Sequence, residues 1–249
     1  MPNHRKSAVI VGVLFIIATA FLFIGEAVYK PILSSPDYLE ITYPNRATVT
    51  IGVLLEFVIV LAMPLIPVFA FPVLRRHNEA LAIGYIVFRA LESVVIIAVA
   101  EINKLSLIGV SKAYLQGGAD AGYFEAIGTS IQAATYWGDA GGLLYVLLFG
   151  VGGLLFYTLL YQSRLIPRWL SAWGWIAIVM ILIGALLGPF MEFTLAMTLV
   201  VVLPIAVQEM VMALWLIVKG WNPEAVEQSA TDSKSERIDM SGTMRPTPA

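Results

Sequence analysis

Long apolar stretches dominate this chain and limit the folds open to it. Each is about as long as a helix that crosses the hydrocarbon core of a bilayer, which needs about 20 apolar residues. The stretches cover approximately residues 7–28, 49–71, 80–100, 139–161, 169–187 and 194–218. Because a backbone in lipid must satisfy its own hydrogen bonds, they predict helices. We therefore expect an all-α, polytopic membrane protein with a bundle of six transmembrane helices.

The composition agrees with a protein that lives in the bilayer. Only 13% of the residues are charged and the mean hydropathy is +0.84, whereas about a quarter of a soluble domain is charged. We expect a transmembrane domain over residues 1–221 and a disordered, polar tail over residues 222–249. The lipid bilayer is then an expected partner, together with a possible small solute or ion, and the sequence does not predict an oligomeric state.

Basic residues are distributed unequally between the two sides of the predicted bundle. One side carries Arg5, Lys6, Arg75, Arg76, Arg164, Arg168, Lys219, Lys234, Arg237 and Arg245. The opposite side carries Lys30, Arg46, Lys104 and Lys112. Since Lys and Arg accumulate in cytoplasmic loops, this asymmetry predicts that both termini are cytoplasmic.

Several classes of function are excluded by residues that the chain lacks. It has no Cys, and its two histidines, His4 and His77, fall outside the apolar stretches. No metal site, no cofactor and no catalytic residue are therefore expected within the membrane, and the known intramembrane proteases that require a buried His do not fit. The net charge of −2 offers no basic surface for nucleic acid.

Charged residues inside the apolar stretches are the strongest functional lead. Arg89 and Glu92 are three residues apart on the predicted third helix, so their side chains share a face. Helix rise places Glu209, on the sixth helix, at the level of Arg89. Glu56 lies further outward on the second helix. A charge in hydrocarbon is costly unless it is paired, so we expect a buried polar column formed by these four residues.

Four further acidic residues fall near the outer ends of the predicted helices. They are Glu26, Glu101, Asp139 and Glu192. One interpretation is an acidic mouth above the polar column, and the other is plain exposure to water at the helix ends.

Three functions remain open for the polar column. It could bind or transport a small solute or ion, because one Arg cannot neutralise three carboxylates and the excess acid can take a proton or a cation. It could instead belong to a structural or regulatory subunit, in which the charges only lock helix packing. The third alternative, a membrane enzyme without a cofactor, is the least favoured, and a non-enzymatic protein is expected.

Three strings of residues resemble a known bacterial family. They are Arg89-Ala90-Leu91-Glu92, the run from Ser163 to Ser171, and Glu209 followed by the run from Trp215 to Trp221. Together they resemble the family called domain of unknown function 4386, or DUF4386, over about residues 5–221. Trp221 stands where Phe is expected in that family. The resemblance implies a multi-pass protein of the bacterial inner (cytoplasmic) membrane, and it implies no activity.

Overall fold

The computed structural model describes residues 2–117, 121–139 and 142–228, and within these ranges it is helical without any strand. The helices are α1 (Pro2–Leu33), α2 (Tyr38–Ile41), α3 (Arg46–Leu74), α4 (Glu79–Val95), a π-helical segment (Ile96–Glu101), α5 (Ile102–Gln116), α6 (Ala121–Gly138), α7 (Leu143–Ser163), α8 (Arg168–Leu187) and α9 (Leu195–Val218). Six helical segments are long and apolar enough to span a membrane, which confirms the predicted all-α, multi-pass class.

The third membrane helix is longer than its sequence pattern predicts. The apolar stretch ends near residue 100, but helix continues through the π-helical segment and α5 to Gln116. This segment of 38 residues is about 57 Å long, well beyond the ~30 Å of a bilayer core. In the sequence pattern, the charges of Glu101 and Lys104 indicate the end of this helix. The helix continues through them because both residues are buried and paired with each other.

A small helical cap covers the end of the bundle that lies away from the N-terminus of α1; we call this the outer end and the opposite one the inner end. Helices α5 and α6 pack against each other there, and α2 packs on α5. The cap has its own apolar cluster, formed by Tyr29, Leu33, Val49 and Leu107. The outer ends of α1 and α3 are thereby fixed against α5.

The main core fills the opposite half of the bundle. Its centre is an aromatic stack in which the rings of Tyr85 and Phe156 lie 4.4 Å apart, with Phe15 from α1 on the far side of Phe156. Helix α7 packs between α4 and α8. This arrangement buries one face of α4, which carries Tyr85 and Arg89, inside the bundle.

Helices α1 and α3 cross at a pair of glycines. A Cβ atom on Gly52 would lie 3.0 Å from the ring of Tyr29 and 3.1 Å from the carbonyl oxygen of Gly25. The close approach brings the hydroxyl of Tyr29 to Glu56, one turn further along α3.

Enlarging Gly52 should therefore be costly. We expect Gly52→Leu to lower the free energy of unfolding by about 1–3 kcal/mol, since the side chain would overpack the α1–α3 crossing. Gly109→Leu is the matched control, because a Cβ atom there meets nothing within 4 Å; it should be neutral or stabilising by up to about 1 kcal/mol. Thermal denaturation of the purified variants in detergent measures both. Equal effects of the two substitutions would contradict the tight crossing.

The first and last membrane helices are held together at their inner ends. Arg5 donates hydrogen bonds to the carbonyl oxygens of Leu216, Ile217 and Val218, at 3.2, 2.6 and 3.0 Å respectively. These carbonyls belong to the last turn of α9, where no intrahelical donor is available, and a cation is favoured at this end of the helix dipole.

The ordered chain continues beyond the expected start of the tail at residue 222. Residues 223–228 are helical, and Ala225 and Val226 are buried against the main core. The backbone N–H of Asn222 also donates to the carbonyl oxygen of Leu165 at 2.8 Å. Two small apolar side chains suffice to dock this helical turn, so the docked, helical part of the described chain extends to residue 228. Residues 229–249, expected to be disordered, lie outside the described residues.

Candidate functional site

Arg89 lies at the centre of the first buried ionic cluster. It is on α4, one turn before Glu92, and its Nη1 atom is 3.2 and 3.1 Å from the two carboxylate oxygens of Glu92. Its Nη2 atom is 3.7 Å from Glu209 Oε1 on α9. The structure thus brings together three of the four residues of the expected polar column. We call Arg89, Glu92 and Glu209 the Arg89 centre.

Aromatic rings form the walls of the Arg89 centre. The guanidinium lies 5.1 Å from the ring centroid of Phe149 and 5.5 Å from that of Tyr85, within cation–π range. The hydroxyl of Tyr145 lies beside the carboxylate of Glu92. These surroundings hold the charges away from lipid.

The Arg89 centre still has unused hydrogen-bonding capacity. Arg89 Nε and the Tyr85 hydroxyl are both buried, and neither has a hydrogen-bond partner among the described residues. Glu92 is 0% exposed, whereas the side chain of Glu209 is 16% exposed. The centre therefore has one carboxylate that is sealed inside the bundle and one that reaches its surface.

A neutral hydrogen-bond chain sets the rotation of α9. The hydroxyl of Tyr157 donates to Gln208 Oε1 at 2.6 Å, and Gln208 Nε2 donates to the carbonyl oxygen of Leu170 at 3.0 Å. Gln208 is fully buried. Because the next residue is Glu209, this chain directs its carboxylate toward α4.

A second buried ionic cluster lies at the base of the outer cap. Lys104 is 2% exposed, and its Nζ atom lies 2.5 Å from Glu56 Oε2 and 3.1 Å from both Glu101 Oε1 and Asp139 Oδ1. The hydroxyl of Tyr29 donates to Glu56 Oε1 at 2.8 Å. We call these five residues the Lys104 centre.

The position of Glu56 corrects the expected polar column. Glu56 pairs with Lys104 rather than extending the Arg89 centre. A buried apolar cluster that includes Ile59, Met63, Ile96 and Ala100 lies between the two centres along α3 and the third membrane helix. Helix rise predicts the depth of a side chain but not the direction in which it points, and Glu56 points toward α1 and α5.

The expected acidic mouth is only partly present. Glu101 and Asp139 meet at Lys104, whereas Glu26 forms a surface ion pair with Lys30 at 2.5 Å. Glu192 is exposed in the loop between α8 and α9. It lines an open groove of about 1060 Å³ that also reaches Asp139 and Lys30.

Lys104 is a buried ionic residue that sequence reasoning missed. The sequence pattern places it among the basic residues of an outer loop, because the apolar stretch ends before it. A signal was nevertheless present in the sequence, since Glu101 and Lys104 have the same three-residue spacing as Arg89 and Glu92.

The three carboxylates of the Lys104 centre lie close together. One oxygen from each of Glu56, Glu101 and Asp139 falls within 4.8 Å of the others. Such a group could suit a hard metal ion, which prefers oxygen ligands. Lys104 Nζ already lies among these oxygens and supplies the positive charge, so we assign no metal to this position.

Comparison with known proteins finds one family. The sequence profile of the family described as "Domain of unknown function (DUF4386)" matches residues 10–220. No curated protein and no solved structure shows a significant match to the chain. The matched range contains both buried ionic centres.

Proposed function

This chain belongs to the family described as domain of unknown function DUF4386, and from that premise we propose that it binds or moves a small cation, a proton included, at the Arg89 centre. The proposed location is the inner membrane of a bacterium, with both termini in the cytoplasm. The exposed basic residues Arg75, Arg164, Arg168 and Lys219, at one end of the bundle, support this orientation.

The observation that carries the proposal is the position of Glu209. Its carboxylate is the acidic group of the Arg89 centre that reaches the surface of the bundle, and it lies 3.7 Å from Arg89. Because Arg89 is already neutralised by Glu92 at 3.1 Å, Glu209 contributes an excess negative charge. Such a group is suited to take up and release a proton or a small cation.

The alternative, a purely structural role for the charges, fits the geometry less well. If an ion pair served to hold two helices against each other, its shortest contact would join those two helices. Of the two ion pairs of Arg89, the shorter one, with Glu92, lies within α4. The longer one, with Glu209, joins α4 to α9. The neutral chain through Gln208 already fixes the position of α9.

Glu209→Gln separates these two functions. We expect the variant to fold with a loss of at most about 1 kcal/mol, since a long, partly exposed ion pair contributes little. We expect proton uptake to be lost in proteoliposomes that contain a trapped pH indicator and receive an imposed Na⁺ or K⁺ gradient. Glu192→Gln is the control for an exposed carboxylate and should retain uptake. A large fall in Tm with uptake unchanged would instead support the structural role.

A further inference from the structure

The Lys104 centre contains more negative charge than its lysine can neutralise. An ammonium group has three N–H donors, and Lys104 directs them to Glu56, Glu101 and Asp139. Three ionised carboxylates and one ammonium give a formal charge of −2. Asp139, with 29% of its side chain exposed, can keep its charge in contact with water. Glu56 and Glu101 are both buried, so their carboxylates cannot keep a charge in contact with water.

One oxygen of the Lys104 centre lacks a donor. Glu101 Oε1 accepts from Lys104, but the buried Glu101 Oε2 has no hydrogen-bond partner in the described part of the chain. Both oxygens of Glu56 are already occupied, one by Tyr29 and the other by Lys104. A buried, ionised carboxylate oxygen without a donor is strongly unfavourable.

A single proton would resolve both problems. Bound to Glu101 Oε2, it converts that oxygen into a donor, and the carboxyl groups of Glu101 and Glu56 lie side by side, with one oxygen of each within 4.8 Å of the other. The formal charge of the centre falls from −2 to −1, and the remaining excess charge is assigned to the partly exposed Asp139. Lys104 keeps its charge and all three of its hydrogen bonds.

We propose that the Lys104 centre is a proton-binding site in which Glu101 carries the proton and shares it with Glu56. Asp139 is its access residue, because it alone of the three carboxylates lines the open outer groove. Lys104 from α5 and Glu56 from α3 face Glu101 directly. Asp139, after α6, lies within 4.8 Å of it, and Tyr29 from α1 donates to Glu56. This site is separate from the Arg89 centre and does not depend on the function proposed for it.

The π-helical segment contributes to the geometry of the site. It ends at Glu101, so the change of helical register falls between Glu92 of the Arg89 centre and the acid proposed to hold the proton. Single turns of π-helix occur frequently at functional sites. Here the segment sets the rotation at which both Glu101 and Lys104 enter the base of the cap.

Infrared difference spectroscopy on the full-length protein in lipid nanodiscs tests the proposal directly. At neutral pH, the wild type should show the C=O stretch of a protonated carboxylic acid, which shifts on transfer to D₂O. Glu101→Gln should lose this band, and the exposed Glu26→Gln, the matched control, should keep it. A spectrum that is unchanged in Glu101→Gln overturns the proposal.

Thermal stability provides a second, independent test of the proposal. A glutamine resembles a protonated glutamate, so Glu101→Gln should retain the wild-type Tm, whereas Glu56→Gln should lower it because Lys104 loses its closest anion. Equal losses in the two variants, or failure of Glu101→Gln to fold, overturn the assignment of the proton to Glu101.

Asp139→Asn should slow the exchange of the infrared band with D₂O severalfold, and an unchanged exchange rate overturns the access role of Asp139.

Discussion

Lys104→Met is expected to lower the free energy of unfolding by about 3–5 kcal/mol, one of the two largest effects in this protein. The substitution keeps the length of the side chain but removes its charge. Glu56 and Glu101 would then face each other in a buried site without a cation. Chemical denaturation of the purified protein in detergent, followed by tryptophan fluorescence, measures the loss.

Lys112→Met is the matched control for this experiment. Lys112 lies on the same helix, eight residues further along, but it is exposed, and its ammonium lies 5.7 Å from the centroid of the Tyr43 ring. Its substitution should change the free energy of unfolding by no more than about 0.5 kcal/mol. If Lys104→Met were equally mild, Lys104 could not be the neutralising cation of a buried centre.

Arg89→Met should cost a similar amount, about 3–5 kcal/mol. It leaves the fully buried Glu92 without its cation and removes the partner of Glu209. The aromatic walls formed by Phe149 and Tyr85 would also lose their cation–π contacts. The same denaturation experiment measures the effect, with a parallel assay of expression in the membrane fraction.

A double variant shows whether the loss comes from the stranded charge. In Arg89→Met combined with Glu92→Met, both members of the close pair become apolar, and replacement of a buried ion pair by packed apolar groups is often nearly neutral. Most of the stability should therefore return. If the double variant were as unstable as Arg89→Met alone, the loss would arise from packing around Arg89 rather than from the charge of Glu92.

The membrane helices and the Arg89–Glu92 pair were predictable from the sequence for a common reason. Both depend on spacing within one helix, where chain position determines depth and the three-residue interval determines a shared face. The level of Glu209 followed from the same helix rise. The family resemblance also pointed to these three residues, and the profile match confirms the family.

The Lys104 centre was not predictable because its parts come from distant segments. Glu56 and Lys104 are 48 residues apart, and Asp139 is a further 35 residues along the chain. On their own, Glu101, Lys104 and Asp139 each indicate a helix end or a surface loop, and Glu56 gives no sign of which charges it meets. The packing of α3, α5 and α6 brings the carboxylates to Lys104, so that opposite charges pair. Because the sequence pattern does not show this pairing, it predicts an end of the third helix that is too early.

The bonds from Arg5 to the last turn of α9 have a consequence for biogenesis. During synthesis, Arg5 leaves the ribosome more than 200 residues before its acceptors, the carbonyl oxygens of Leu216, Ile217 and Val218. Helix α1 must therefore remain in the membrane without α9 beside it until translation is almost complete. A chain truncated before α9 would leave this guanidinium unpaired and one side of α1 open to lipid, a state by which membrane proteases could distinguish unfinished copies from complete ones.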